Sequence, residues 1–153
     1  MKFMKLAIPA ALLMFAASEA TLAATTASFT KTAAPRVVLV TTGGVGSAAF
    51  FASSTDFPAG TLSKPKTLLG INWQTTLYPN NPNESVDLCY FRPYAGTPVA
   101  CVPINRNSSG TALNFNNEPF GLGVEVMIRH WTNGGPQPAY PAGRDTVTIT
   151  YSY

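Results

Sequence analysis

Cys89 and Cys101 are the residues of this 153-residue chain best suited to a specific covalent bond. Twelve positions separate them, and the midpoint falls at Ala95-Gly96, inside a Pro/Gly segment. A hairpin pairing Ser85–Phe91 with Pro98–Ile104 places the two cysteines opposite each other, within disulfide reach. The spacing is not the C-x-x-C of a redox pair. His130, the only histidine, offers no second imidazole for a metal. The expectation is a structural disulfide, with no metal and no cofactor.

Other candidate chemistry is thin. A triad around His130 needs a nucleophile, yet no Ser or Thr sits in a G-x-S-x-G motif. His130 alternates in phase with Val124, Val126 and Ile128, so it reads as a strand-end histidine with ordinary hydrogen bonds. Beyond Glu19 the carboxylates are Asp56, Glu84, Asp87, Glu118, Glu125 and Asp145. Nothing in the sequence sets two of them at glycosidase separation. Gly43-Gly44-Val45-Gly46 lacks the full phosphate-binding fingerprint and no helical pattern follows it, so it reads as a flexible strand connection. The expectation is a protein that is not an enzyme.

These residues lie downstream of a leader. Lys2 and Lys5 precede an apolar run from Leu6 to Ala17, and Thr21-Leu22-Ala23 supplies small residues for a peptidase. That layout predicts a signal peptide over 1–23, cut after Ala23, and a periplasmic or secreted domain over 24–153. The run is too short to span a bilayer as a helix, which takes about 20 residues, so no integral membrane segment is expected after cleavage. Oxidising surroundings favour the disulfide.

The whole chain carries a net charge of +3, and removing Lys2, Lys5 and Glu19 leaves eight Lys/Arg against six Asp/Glu, or +2. The basic residues form no stripe, which argues against nucleic acid. Only 11% of residues are charged, leaving little repulsion to oppose self-association.

Turn residues divide the domain into short segments rich in β-branched and aromatic side chains. Strands are expected at Arg36–Thr42, which is apolar enough to lie in the core, and at Ala48–Ala52, Leu68–Leu77, Ser85–Phe91, Pro98–Ile104, Gly123–Trp131 and Asp145–Tyr153. Ala24–Thr32 reads as a flexible lead-in or a loosely held first strand, and Asn105–Thr111 as a turn. Leu69, Ile71, Trp73 and Thr75 share one expected face. Val147, Ile149, Tyr151 and Tyr153 alternate with Thr146, Thr148, Thr150 and Ser152. About seven or eight strands of this kind predict a single-domain, all-β, immunoglobulin-like antiparallel sandwich with one hairpin disulfide, rather than a small barrel. Tyr94 and Tyr140 in loops, with Trp131, are candidate binding-surface aromatics.

From Lys64 to Tyr153 the order of features resembles the flagellar protein FlhE family, small periplasmic proteins of flagellar operons. The matching points are Gly70 and Trp73, Leu88-Cys89, Cys101-Val102, a Ser109-Gly110-Thr111 turn, Phe115 and Pro119-Phe120. A Val/Glu strand and the C-terminal strand with Val147, Ile149 and Tyr151 complete them. The resemblance implies a non-enzymatic periplasmic domain that assists or regulates flagellar assembly or export, chaperone-like, by binding another protein. It carries over no catalytic residues. Two other readings stay open. A chaperone-usher fimbrial subunit needs Ala24–Thr32 as an extended donor, for which Ala and Thr with only Phe29 large are poor material. A secreted carbohydrate-binding module would use Tyr94, Trp131 and Tyr140.

Overall fold

A computed structural model describes residues 24–153, so the leader and its cleavage point lie outside the described residues. The short β-prone runs form eight strands: β1 (Thr26–Ala33), β2 (Thr42–Phe51), β3 (Thr67–Gln74), β4 (Ser85–Phe91), β5 (Ala100–Ile104), β6 (Ser109–Ala112), β7 (Glu125–Asn133) and β8 (Asp145–Ser152). They pair into two antiparallel four-stranded sheets, β1-β8-β3-β6 and β2-β7-β4-β5. Among the described residues no helix is long and apolar enough to cross a membrane.

The period-two pattern puts one side of each strand into the space between the sheets. In β8, Val147, Ile149 and Tyr151 point inward and are fully buried, while the intervening threonines stay half-exposed. They meet Val126 and Ile128 of β7, Val86, Leu88 and Tyr90 of β4, and Ala48 and Phe50 of β2 in one core. Tyr90 stacks on Phe115 with ring centroids 5.3 Å apart, and its hydroxyl donates to the Pro119 carbonyl at 2.8 Å.

The hairpin expectation holds. Cys89 of β4 lies directly across from Cys101 of β5, and the disulfide is formed, with S–S 2.02 Å and Cα–Cα 4.0 Å. It sits on the outer side of its sheet, in the row that also holds Met127. Closing a loop of this length stabilises by about 3 kcal/mol. Cys89→Ser should therefore lower the melting temperature by roughly 10 °C while the sheet signature in circular dichroism persists. An unchanged melting temperature would show that the bridge contributes nothing.

Several boundaries differ from expectation, each for a physical reason. Of Arg36–Thr42 only the last residue belongs to a strand, Thr42 opening β2; in Arg36–Thr41 only Val38 makes a bridge, to Ala139, because apolar content without alternation or a paired neighbour does not fix a ladder. Of the two readings of Ala24–Thr32 the first strand holds and the flexible lead-in does not, since β1 pairs with β8 over its eight residues. In β3 the register shifts between Leu68 and Gly70, so Leu68 is buried and Leu69 is turned outward, off the face of Ile71 and Trp73. That strand ends at Gln74, short of Leu77.

The Asn105–Thr111 segment, expected as a turn, runs from Ser109 onward into strand β6, paired with β3. Gly43–Gly46 lies within β2 instead of forming a flexible connection. A Cβ at Gly46 would collide with the Tyr78 hydroxyl and lie 2.7 Å from the Arg36 carbonyl, so packing demands glycine there.

Candidate binding surface

One end of the sandwich is built on buried charge. His130 on β7, Glu84 at the entry to β4 and Asp145 at the start of β8 all have fully enclosed side chains. His130 Nδ1 lies 2.6 Å from Glu84 Oε1, and Nε2 lies 2.8 Å from Asp145 Oδ2. The remaining carboxylate oxygens are also engaged. The Thr76 N–H donates to Asp145 Oδ1 at 2.8 Å, and the Tyr78 N–H donates to Glu84 Oε2 at 3.0 Å. Arg106 stands 3.7 Å from Glu84 and donates to the Asn81 carbonyl at 2.9 Å.

Burial alone would push the His130 pKa down. Hydrogen bonds and charge from Asp145 and Glu84 outweigh it and raise the pKa to about 9. The ring is thus an imidazolium clamped between two carboxylates, with neither nitrogen free. Each carboxylate approaches a different ring nitrogen, so the three groups do not converge on a common point. Among the described residues no cluster of His, Cys, Asp and Glu is fit to hold a metal.

This brace fixes three loops. Tyr78 packs edge-on against His130, with centroids 5.6 Å apart, and its hydroxyl donates to the Arg36 carbonyl. Val38 and Ala139 exchange backbone bonds at 3.0 and 2.8 Å and are buried with Tyr78 in a small cluster. Thr41 closes the arrangement, its carbonyl accepting from the Gly134 N–H at 2.9 Å and its hydroxyl donating to the Gly135 carbonyl at 3.0 Å.

Because Val38 and Ala139 face inward across an antiparallel bridge, their chain neighbours face outward. The result is an exposed apolar surface. Leu39 is 74% exposed, Val40 58% and Val37 41%, beside Pro138 and Tyr140 at 62%. Isolated exposed apolar residues are ordinary, but Val37, Leu39, Pro138 and Tyr140 all flank the Val38–Ala139 bridge, which makes this end the candidate binding surface. Tyr140 lines a pocket together with Pro79, Asn81, Pro136 and Pro138.

The three sequence-selected aromatics do not gather into one platform. Tyr140 belongs to this end. Trp131 is nearby in sequence but lies on the outer sheet side, its indole N–H donating to Asp87 at 2.8 Å. Tyr94 covers Gly123, just before β7, and the nine residues of that strand set it roughly 25–30 Å from the Tyr140 loop. Sequence reasoning missed Val37, Leu39 and Val40 by assigning them to the core. It also left Glu84 and Asp145 without a role. The available signal was the lack of alternation in Arg-Val-Val-Leu-Val.

Comparison with known proteins gives a likeness at the level of fold. The crystal structure of FLHE superposes with a TM-score of 0.58, covering 84% of this chain and 98% of that one, at 18% identity. At that identity the likeness establishes a shared fold. No protein-family model matches the chain, and no curated protein matches it.

Proposed function

We propose that this chain is an exported, non-catalytic β-sandwich that assists flagellar assembly or export by binding a protein partner through the surface of Val37, Leu39, Val40 and Tyr140. The observation that carries this reading is the exposed apolar group held in place by the Glu84–His130–Asp145 brace. Side chains of this kind contribute to binding when a partner covers them, and a pre-set surface loses little conformational freedom on docking. The fold shared with FLHE and the matching feature order from Lys64 to Tyr153 support the flagellar setting.

The test is complementation of a strain lacking the gene. A Leu39→Ser, Val40→Ser variant changes only exposed positions, so its stability should stay within about 1 kcal/mol of the parent. It should accumulate normally yet fail to restore swimming, while Tyr94→Ser restores it. Full motility with the double variant would remove this surface from the function. A deletion without any flagellar defect would remove the flagellar setting.

A further inference from the structure

We infer that the outer edge of β1 pairs with the β1 edge of a second copy of this chain, joining two β1-β8-β3-β6 sheets into one of eight strands. This goes beyond the partner role above and uses a different surface.

The phase of the ladder shows which groups are free. Thr25 and Tyr153 exchange both backbone hydrogen bonds, at 3.1 and 3.0 Å. In an antiparallel pair such exchanges recur at alternate residues, so Ala27, Phe29, Lys31 and Ala33 bond to β8. Thr26, Ser28, Thr30 and Thr32 therefore turn N–H and C=O away from it, and among the described residues β1 has no second strand neighbour. The other edges are blunted. β6 is only four residues long, β5 contains Pro103, and the Ser47 carbonyl of β2 already accepts from the Arg36 N–H at 3.3 Å. The β1 edge has neither proline nor an outward-facing charge.

The strand is complementary to itself. With a two-fold axis at Phe29, Thr26 faces Thr32 of the second copy and Ser28 faces Thr30. All four free residues then exchange both bonds, about eight in total. On the outward side threonine and serine meet their own kind. Within the chain that pairing already gives Thr30–Thr148 and Thr32–Thr146 hydroxyl contacts at 2.7 and 2.9 Å. On the inward side the half-buried Ala27, Phe29 and Ala33 gain cover.

Lys31 selects this register. It points inward to Asp56 at 2.8 Å, and in the Phe29-centred pairing it lies opposite Ala27 of the second copy. A register centred on Lys31 would set two ammonium groups face to face.

Sedimentation velocity on the exported chain tests the inference. The parent should show a concentration-dependent monomer–dimer equilibrium. Ser28→Pro should weaken it at least tenfold, to about 1.4 kcal/mol less association free energy. It should keep its circular dichroism and melting temperature, because the Ser28 N–H is unpaired in the monomer. Leu39→Ser, Val40→Ser should dimerise like the parent, which separates this surface from the loop end. A parent that stays monomeric up to about 1 mM, or a dimer unaffected by Ser28→Pro, would overturn the inference. Should Ser28→Pro fail to fold, Ser28→Lys, exposed and with its backbone intact, gives the same reading.

Discussion

Deleting Asp145–Tyr153 should abolish folding altogether. Strand β8 is interior to its sheet, flanked by β1 and β3, so its loss leaves β1 without a ladder partner and β3 paired only to the short β6. It also removes Val147, Ile149 and Tyr151 from the core, each contributing about 1.5–3 kcal/mol through burial. Asp145 goes with it, stranding the charged imidazole of His130. The total far exceeds the margin by which small domains are stable, about 5–15 kcal/mol, once the lost pairing is added. The truncated chain should be insoluble, or soluble with no cooperative thermal transition. A soluble product that melts cooperatively would show β8 to be peripheral.

His130→Ala should be the most damaging single substitution at the loop end. It removes the cation between two enclosed carboxylates and leaves them facing each other across a cavity. Removing one partner of a buried pair costs about 3–5 kcal/mol, which corresponds to a fall in melting temperature of at least roughly 10 °C. The loops carrying Tyr78, Val38 and Ala139 should loosen first, since they lean on the ring and its partners. Faster amide exchange at Val38 and Ala139 than in β7 would report this. A variant as stable as the parent would show that the buried network is incidental.

The same ring gives the parent an alkaline limit. Its folded pKa of about 9 exceeds the ordinary value of 6.5, so folding favours the protonated form. The associated stability, about 3 kcal/mol, is fully present below pH 6.5 and lost as pH rises through 9.

Much of the architecture was legible in the sequence because alternation is a direct record of burial. β8, where apolar and polar residues strictly alternate, is read to within one residue, β4 at both its ends and β7 two residues early, and the Cys89–Cys101 bridge follows from the β4–β5 hairpin. Reading failed where local pattern does not determine pairing. Val37, Leu39 and Val40 look like core, but their burial depends on a partner strand that the fold does not supply. The bulge at Leu69 reverses a face without any composition signal. Ser109–Ala112 is polar enough to pass for a turn, and becomes a strand only because β3 offers it an edge.

The loop-end site was harder still. Glu84, His130 and Asp145 are 46 and 15 residues apart along the chain and meet only through the crossing of β4, β7 and β8. A lone histidine among branched aliphatics gives no hint of two carboxylates, although its inward phase was visible. Exposure of Val37 and Leu39 is likewise a consequence of the single Val38–Ala139 bridge, which no short-range pattern encodes.

The account rests on an imidazolium that stays charged up to about pH 9 beneath the exposed apolar loops. Its most direct test is a titration of the one histidine by nitrogen-detected NMR on the folded chain. Both ring nitrogens should carry protons from acid pH to near pH 9, with their hydrogens shielded from solvent exchange. A ring that loses its proton near pH 6.5, or exchanges freely with water, would contradict the buried brace and the fixed binding surface built on it.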